Sequence, residues 1–348
     1  MELNTSNKSN FWNNHTLNDF EPIAFLKNVH SSNITSVCFL KDGRIASSGQ
    51  YDHALLIYNK ITYKIEIKIK ESNAINYMNV TRDGILITCL GANFVNLYEI
   101  NGKEYKNIQI IKPYSFLMNM LAKYNSWLSI QKFIELENGD LAFFVWYHGI
   151  SFYRKKKNSK TYSYFDKYKE PLIKEKHMTD LVELDNNEYI IAFKYDKMIQ
   201  FINKKSKKIT KTIKCNNFFF SNSKKIMLLM NKNDLFLLGN QDILILDIQK
   251  KEIIKEIKLK IDSGFLSSMY KLSDNIIIAG FWKNYIEQLE YDEIKKEFKV
   301  ISKTNKKEYK NYELYETSSI AILKNNLIVA PFENSLDGSS LIIYKYKY

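Results

Sequence analysis

The sequence is short of cysteine and of long apolar runs, and each shortage excludes a class of protein. Its 348 residues contain three cysteines, Cys38, Cys89 and Cys215, which are too few and too scattered for a disulfide framework. No apolar run reaches the ~18 residues that a transmembrane helix needs. The N-terminus lacks the basic and apolar regions of a signal peptide. We therefore expect a cytoplasmic, non-secreted protein without a transmembrane segment, with a nuclear location as the alternative.

Arginine is also scarce, although the chain is strongly basic. Lysine and arginine together number 51 against 38 acidic residues, a net charge of +13, yet only Arg44, Arg82 and Arg154 are arginine. A basic chain can bind nucleic acid or an anionic membrane. Phosphate and base recognition, however, favour the planar guanidinium of arginine. Two interpretations stay open at this point: the compositional drift of an AT-rich genome, and selected polyanion binding.

Short strands alternate with Asp- and Asn-rich turns from residue 20 onward, which favours an all-β fold. One strand type recurs seven times, with ends 40 to 55 residues apart, and the shorter spacings match the blade of a four-stranded propeller. These strand ends are Tyr58, Tyr98, Tyr153, Ile202, Leu246, Leu289 and Tyr344. The pattern predicts a seven-bladed β-propeller with four-stranded antiparallel blades over residues 20–348, after a disordered polar tail at 1–19.

Residues 30–60 carry the clearest copy of the repeat. An apolar strand is followed by an Asp-Gly turn, a small-residue strand, a turn ending in Asp52 and a third strand ending in an aromatic residue. This segment resembles a repeat of the WD-repeat family, with tyrosine in place of tryptophan. The resemblance implies a hydrogen-bonded structural tetrad formed by His30, Ser48, Asp52 and Tyr58. It also implies a binding platform, but it does not name a partner.

The two ends of the chain predict how the ring closes. The last strand ends the chain, so the last blade lacks an outer strand, and the segment 22–27 can supply one. An N-terminal strand that pairs with the last blade would remove an open sheet edge.

Residue patterns for catalysis are missing from the sequence. It has no Gly-rich phosphate loop, no Gly-x-Ser-x-Gly, no Cys-x-x-Cys and no His-Glu-x-x-His motif. The five histidines do not recur at metal-ligand spacing. We therefore expect no enzyme activity, no cofactor and no metal. The alternative is a site made of carboxylates that converge from different blades on the central channel.

The strands of each blade are named a to d from the channel outward, and the rim that carries the b–c and d–a connections is called the top rim. Aromatic residues recur at the b–c turns, and the insertion at 113–128 carries further large apolar residues. These residues are Tyr51, Trp146, Tyr195, Trp282, Phe116, Leu117, Met120 and Trp127. Such a composition is typical of protein-binding hot spots, although packing inside the propeller is the alternative. The leading hypothesis is a non-catalytic scaffold that binds a protein partner or peptide on the top rim, within a larger complex.

Lysines cluster in the c–d turns, which belong to the opposite, bottom rim. The set comprises Arg154, Lys155, Lys156, Lys157, Lys204, Lys205, Lys207 and Lys208. A basic face of this kind can contact RNA or anionic lipid. Solvated turns that keep the rim soluble are the other interpretation.

Overall fold

A computed structural model describes most of the chain. The described residues are 20–91, 94–112, 129–145, 149–168, 178–216, 218–221, 225–259, 265–281, 285–304, 320–323, 326–334 and 338–346. The tail predicted at 1–19 lies outside these ranges. Within them the chain forms seven four-stranded antiparallel sheets, which are the blades of a propeller. The predicted fold class is therefore confirmed.

Blades 1 to 3 follow one another along the chain, each running from its innermost to its outermost strand. Blade 1 contains β2 (Ile34–Phe39), β3 (Ile45–Gly49), β4 (Ala54–Tyr58) and β5 (Ile65–Lys70), after a first strand β1 (Phe20–His30) that joins the last blade. Blade 2 contains β6 (Ile75–Val80), β7 (Leu86–Leu90), β8 (Val95–Asn101) and β9 (Glu104–Ile111). Blade 3 contains β10 (Ile130–Glu135), β11 (Leu141–Val145), β12 (Gly149–Lys155) and β13 (Tyr162–Tyr168).

Blades 4 to 7 repeat this order. Blade 4 contains β14 (Met178–Glu183), β15 (Glu188–Phe193), β16 (Met198–Asn203) and β17 (Ile209–Lys214). Blade 5 contains β18 (Met227–Leu229), β19 (Asp234–Leu238), β20 (Asp242–Asp247) and β21 (Glu252–Lys258). Blade 6 contains β22 (Leu266–Lys271), β23 (Ile276–Phe281), β24 (Tyr285–Asp292) and β25 (Glu297–Lys303). Blade 7 contains β26 (Ala321–Leu323), β27 (Leu327–Asn334), β28 (Gly338–Tyr346) and β1.

The apolar core lies between blades, because each sheet packs face to face against two neighbours. Seven apolar clusters occupy these spaces, one for each pair of adjacent blades. Strands covered on both faces must be apolar at nearly every residue. The middle strands β3, β4, β7, β11 and β19 are accordingly buried along their whole length, whereas the outermost strand β17 is exposed at five of six residues.

Strand β1 closes the ring, as the sequence predicts. It pairs antiparallel with β28 from Phe20, opposite Tyr346, to His30, opposite Ser339, and is longer than the predicted segment 22–27. Phe20 is buried in the cluster between blades 6 and 7, and Leu26 in the cluster between blades 7 and 1. The outer edge of β28 is thereby paired rather than left open.

Candidate functional site

A hydrogen-bonded network joins β1 to blade 1. The His30 ring lies with Nδ1 2.8 Å from Asp52 Oδ2 and Nε2 2.7 Å from Ser47 Oγ. Ser47 Oγ in turn lies 2.9 Å from the Tyr58 hydroxyl. The hydroxyl of the predicted tetrad is therefore that of Ser47, and the assignment of Ser48 was wrong. Adjacent residues of a strand point to opposite faces, and Ser48 Oγ instead lies 3.0 Å from Thr35 Oγ1.

Asp52 acts in this network as an ionised acceptor. Burial by itself would raise the pKa of its carboxyl, but the hydrogen bond and charge of His30 and the backbone N–H groups of Ala54 and Ser31 outweigh burial and lower the pKa. Gly49 is required beside the pair, since a Cβ there would lie 2.0 Å from Asp52 Oδ1. Asp52 therefore has a structural role, because its carboxylate accepts these hydrogen bonds.

Blade 2 contains an equivalent network that sequence reasoning missed. The buried Glu71 takes the place of the histidine, just beyond the outermost strand of blade 1. It accepts hydrogen bonds from Thr88 Oγ1 at 2.6 Å, Asn96 Nδ2 at 2.7 Å and the Tyr98 hydroxyl at 3.0 Å. The available signal was Tyr98, which matches Tyr58 at the end of strand c. A carboxylate replaces an imidazole here, so a search for histidine could not find the network.

The structure describes two of the predicted top-rim aromatics, and both are exposed. Tyr51 in the β3–β4 turn is 71% exposed, and Tyr195 in the β15–β16 turn is 61% exposed. The remaining six residues of the predicted surface lie outside the described ranges: Trp146, Trp282, Phe116, Leu117, Met120 and Trp127. Internal packing therefore does not account for Tyr51 or Tyr195.

Tyr195 belongs to a small surface that the sequence did not reveal. Phe219, between β17 and β18, is 63% exposed, and Lys197 Nζ lies 3.7 Å from the centre of its ring. Lys197 belongs to the same turn as Tyr195, whose ring has Lys194 Nζ 5.7 Å from its centre. We call Lys194, Tyr195, Lys197 and Phe219 the blade 4 patch. It combines two accessible aromatic rings with two cations.

On the bottom rim, half of the predicted basic set is engaged with carboxylates. Lys204 Nζ lies 2.9 Å from Glu183 and Lys207 Nζ 3.1 Å from Asp166 on the neighbouring blade. The other two pairs are Arg154 with Asp140 and Lys155 with Asp83. The other four residues, Lys156, Lys157, Lys205 and Lys208, are exposed. These pairs favour a structural role for much of the basic face.

Two further lysines of the bottom rim also pair with a carboxylate of the preceding blade, but at the first residue of its second strand rather than on its outermost strand. Lys251 and Lys296 occupy the equivalent position of their c–d turns, with φ of 54° and 53°. Lys251 Nζ lies 2.7 Å from Glu188, and Lys296 Nζ lies 2.6 Å from Asp234. Each pair joins a blade to the preceding one, so the turns connect neighbouring blades by ion pairs.

The Lys251–Glu188 pair gives stability a defined pH dependence. Burial alone would raise the pKa of Glu188, but hydrogen bonds from Lys251 and Thr210 outweigh burial and lower it below 4.5. Because the lowered pKa belongs to the folded state, the stabilisation is complete above about pH 4.5 and is lost as the pH falls through the folded pKa. We expect Glu188→Gln to cost about 1 kcal/mol at neutral pH and progressively less below about pH 4.

Urea denaturation of the Glu188→Gln variant and of the unchanged protein, from neutral pH down to about pH 3, measures the difference between their free energies of unfolding. Glu252→Gln is the matched control, since Glu252 is an exposed carboxylate at the start of β21. A stability difference for Glu188→Gln that is constant down to about pH 3 would contradict the assignment.

A central channel runs between the innermost strands. Its cavity of about 1070 Å³ is lined by residues from all seven blades. Lys132 and Asp180 are both buried in its wall, with Nζ 2.5 Å from Oδ1. Asp180 also accepts backbone hydrogen bonds from Leu181, Ile226 and Met227 at 3.0, 2.8 and 2.9 Å. The carboxylate is therefore fully used as a connector between blades 3, 4 and 5.

A catalytic carboxylate pair in the channel finds no support in this geometry. Among the described lining residues the carboxylates are Asp180 and Glu135, and Glu135 accepts from the Arg82 backbone N–H at 2.7 Å. The same described ranges hold no group of three or more His, Cys, Asp or Glu residues suited to a metal ion. They also hold no helix long and apolar enough to cross a membrane.

Comparison with solved structures places the molecule among β-propellers. The β-propeller domain of Cps50 (Swd1) from Myceliophteria thermophila matches with a TM-score of 0.66 at 11% identity, over 94% of this chain and 100% of that chain. A crystal structure of a mitotic checkpoint complex contains a chain that matches with a TM-score of 0.68 at 11% identity, over 96% of this chain and 94% of that chain. At this identity the likeness shows the fold alone.

Sequence comparison adds no closer relationship. Neither a protein-family model nor a curated protein sequence matches the chain. The resemblance of residues 30–60 to a WD repeat is therefore supported at the level of the seven-bladed fold.

Proposed function

We propose that the protein is a non-catalytic interaction scaffold that binds a protein partner through the top rim of the propeller. The observation that carries this proposal is the blade 4 patch, where Tyr195 and Phe219 are 61% and 63% exposed on the top rim. Large aromatic side chains contribute most of the binding energy at protein interfaces when a partner covers them. The structural neighbours, one of them a chain in a mitotic checkpoint complex, are consistent with this class.

The chemistry of the patch indicates the kind of segment it would bind. Lys194 and Lys197 stand over the two aromatic rings, at 5.7 and 3.7 Å. An acidic peptide with an apolar side chain would meet both the cations and the exposed rings. Tyr51, 71% exposed in the β3–β4 turn of blade 1, is a second exposed aromatic site on the same rim, separate from the blade 4 patch. The partner is therefore expected to be an acidic segment of another protein.

Affinity capture from a lysate of source cells, treated with nuclease, tests the proposal. The variant Tyr51→Ala/Tyr195→Ala/Phe219→Ala is expected to lose at least about 90% of captured partner, because removing hot-spot aromatics costs about 2 kcal/mol or more each. The control is Tyr105→Ala/Tyr164→Ala, which removes two tyrosines, 48% and 53% exposed, from outermost strands rather than the rim. Capture that is equal for the rim variant and the intact chain would overturn the proposal.

A further inference from the structure

The outermost strand of blade 4 is a sheet edge that differs in charge from the outermost strands of the other blades. The blade has the order β14-β15-β16-β17, so β17 pairs with β16 on one side and with none of the described strands on the other. The chain carries no acidic residue over 197–233, a range that includes all of β17. Each of the six other outermost strands has at least one acidic residue, and these include Glu21, Glu66, Glu104, Asp166, Glu252 and Glu297.

Lysine side chains give this edge its positive charge. Lys208, Lys211 and Lys214 are exposed, and within the described part of the chain none of the three forms an ion pair. The ion pairs that the preceding c–d turn makes use Lys204 and Lys207 instead. The charge along β17 is therefore not neutralised by the described carboxylates, and it is accessible to a partner.

The strand leads from the bottom rim up to the blade 4 patch. After a register shift near its start, β17 pairs regularly with β16 from Lys211 to Lys214. Adjacent residues of a strand point to opposite faces, so these two lysines present charge on both faces of the sheet. The next residue, Cys215, donates its backbone N–H to the carbonyl oxygen of Lys197 at 2.6 Å. Because Lys197 belongs to the blade 4 patch, the edge and the patch are adjacent.

From this arrangement we propose that an acidic, extended segment of a partner protein binds as a fifth strand on the outer edge of β17. An unpaired strand edge offers a row of backbone N–H and C=O groups, and extended peptides bind such edges through main-chain hydrogen bonds. Lysines on the edge disfavour pairing with a second copy of β17 and favour a strand of opposite charge. The proposal rests on the proposed scaffold function, and it gives the acidic partner segment a binding mode that ends at the blade 4 patch.

Fluorescence anisotropy of labelled peptides mixed with the intact chain tests the proposal. A peptide of five Glu-Val repeats can pair as a strand and is expected to bind. A peptide of five Glu-Pro repeats has the same charge and length but lacks alternate N–H groups, so it should bind at least about 10-fold more weakly. Equal affinity of the two peptides, or no binding of the Glu-Val peptide up to about 1 mM, would overturn the proposal.

Variants of the edge lysines locate the binding site. Lys211→Glu/Lys214→Glu should weaken the Glu-Val peptide about 10-fold or more, since two attractive contacts become repulsive. The matched control is Lys299→Glu/Lys303→Glu, which makes the same change in net charge at two exposed positions of β25 and should weaken binding less than about 2-fold. Equal weakening by both variants would assign the binding to net charge rather than to this edge.

Two further measurements keep the result interpretable. If the charge-reversed variant is unfolded by circular dichroism, Lys211→Gln/Lys214→Gln only neutralises the edge and should still weaken the peptide several-fold. A single-stranded oligouridylate of ten nucleotides is the probe for nucleic acid. Tighter binding of this RNA than of the Glu-Val peptide, with the same loss in the edge variant, would assign the edge to RNA and contradict the proposal.

The edge and the top rim can fail separately. Failure of the top rim alone appears as unchanged partner capture by Tyr51→Ala/Tyr195→Ala/Phe219→Ala, while the Glu-Val peptide still binds and still responds to the edge variant. Failure of the edge alone appears as the expected loss of capture in that rim variant, without any difference in affinity between the Glu-Val and Glu-Pro peptides.

Discussion

A chain that lacks residues 1–28 is expected to lose its cooperative unfolding transition, while a chain that lacks residues 1–18 keeps it. The longer deletion removes nearly all of β1, including Phe20 and Leu26, which are 3% and 7% exposed. Burial of each such side chain contributes about 2 kcal/mol, and the ladder to β28 is lost with them. Against a total stability of about 5–15 kcal/mol, this loss is severe. It also leaves an unpaired edge on β28 that promotes association.

Thermal unfolding followed by circular dichroism, with size-exclusion chromatography beside it, measures the effect. The shorter deletion ends before β1 begins at Phe20, so it controls for loss of the N-terminal residues as such. The variant Phe20→Ala/Leu26→Ala keeps the strand but removes its buried side chains. It should lie between the two deletions in Tm. Equal Tm values for the two deletions would show that β1 does not close the ring.

The sequence was sufficient for the fold because each blade repeats the same local signals. Asp-Gly and Asn-Gly turns tolerate positive φ and close hairpins, and Gly43, Gly84 and Gly139 do adopt φ of 84–86°. Strands that are apolar at successive residues indicate burial on both faces. Seven copies of this pattern leave little freedom in how the sheets can be arranged. The closing strand followed from the missing outer strand of blade 7.

The side-chain networks depend on information that the local pattern does not contain. Choosing Ser48 instead of Ser47 is an error of one residue, and in a strand one residue decides the face. Glu71 takes the place of His30 in the blade 2 network, but its side chain is a carboxylate rather than an imidazole. The pairing of lysines with Glu188 and Asp234 depends on which residue of the preceding blade lies opposite a turn. Such contacts follow only when the blades are placed next to each other.

Part of the polar lining of the channel could have been predicted from the sequence. Aligning the repeats places Tyr77, Lys132 and Asp180 at one position, which is a detectable signal of polar residues in otherwise apolar strands. The sequence does not show that Asp180 also accepts two backbone N–H groups from the next blade. That contact arises because the start of β18 lies beside Asp180 of β14. It makes Asp180 a structural residue of unusual importance.

Replacing Asp180 with alanine is expected to destabilise the propeller by about 3–5 kcal/mol, as removal of one partner of a buried ion pair generally does. In this variant Lys132, whose side chain is 5% exposed, would either stay charged without a counter-ion or lose a proton and become neutral. The N–H groups of Ile226 and Met227 would lose their acceptor as well. A buried donor without a partner costs about 1–3 kcal/mol. Urea denaturation of the variant and the intact chain measures the sum.

Two further variants separate the contribution of the Lys132–Asp180 ion pair to stability from that of the backbone hydrogen bonds to Asp180. Lys132→Met leaves Asp180 with its three backbone donors, so it should cost less than Asp180→Ala. Asp180→Asn keeps an acceptor for those donors but removes the charge that faces Lys132, and we expect an intermediate loss. The double variant Lys132→Met/Asp180→Ala should be less destabilised than the sum of its parts, because the unpaired ammonium is gone. Additive losses would instead show that the pair contributes no coupling, and that the backbone hydrogen bonds alone make Asp180 necessary.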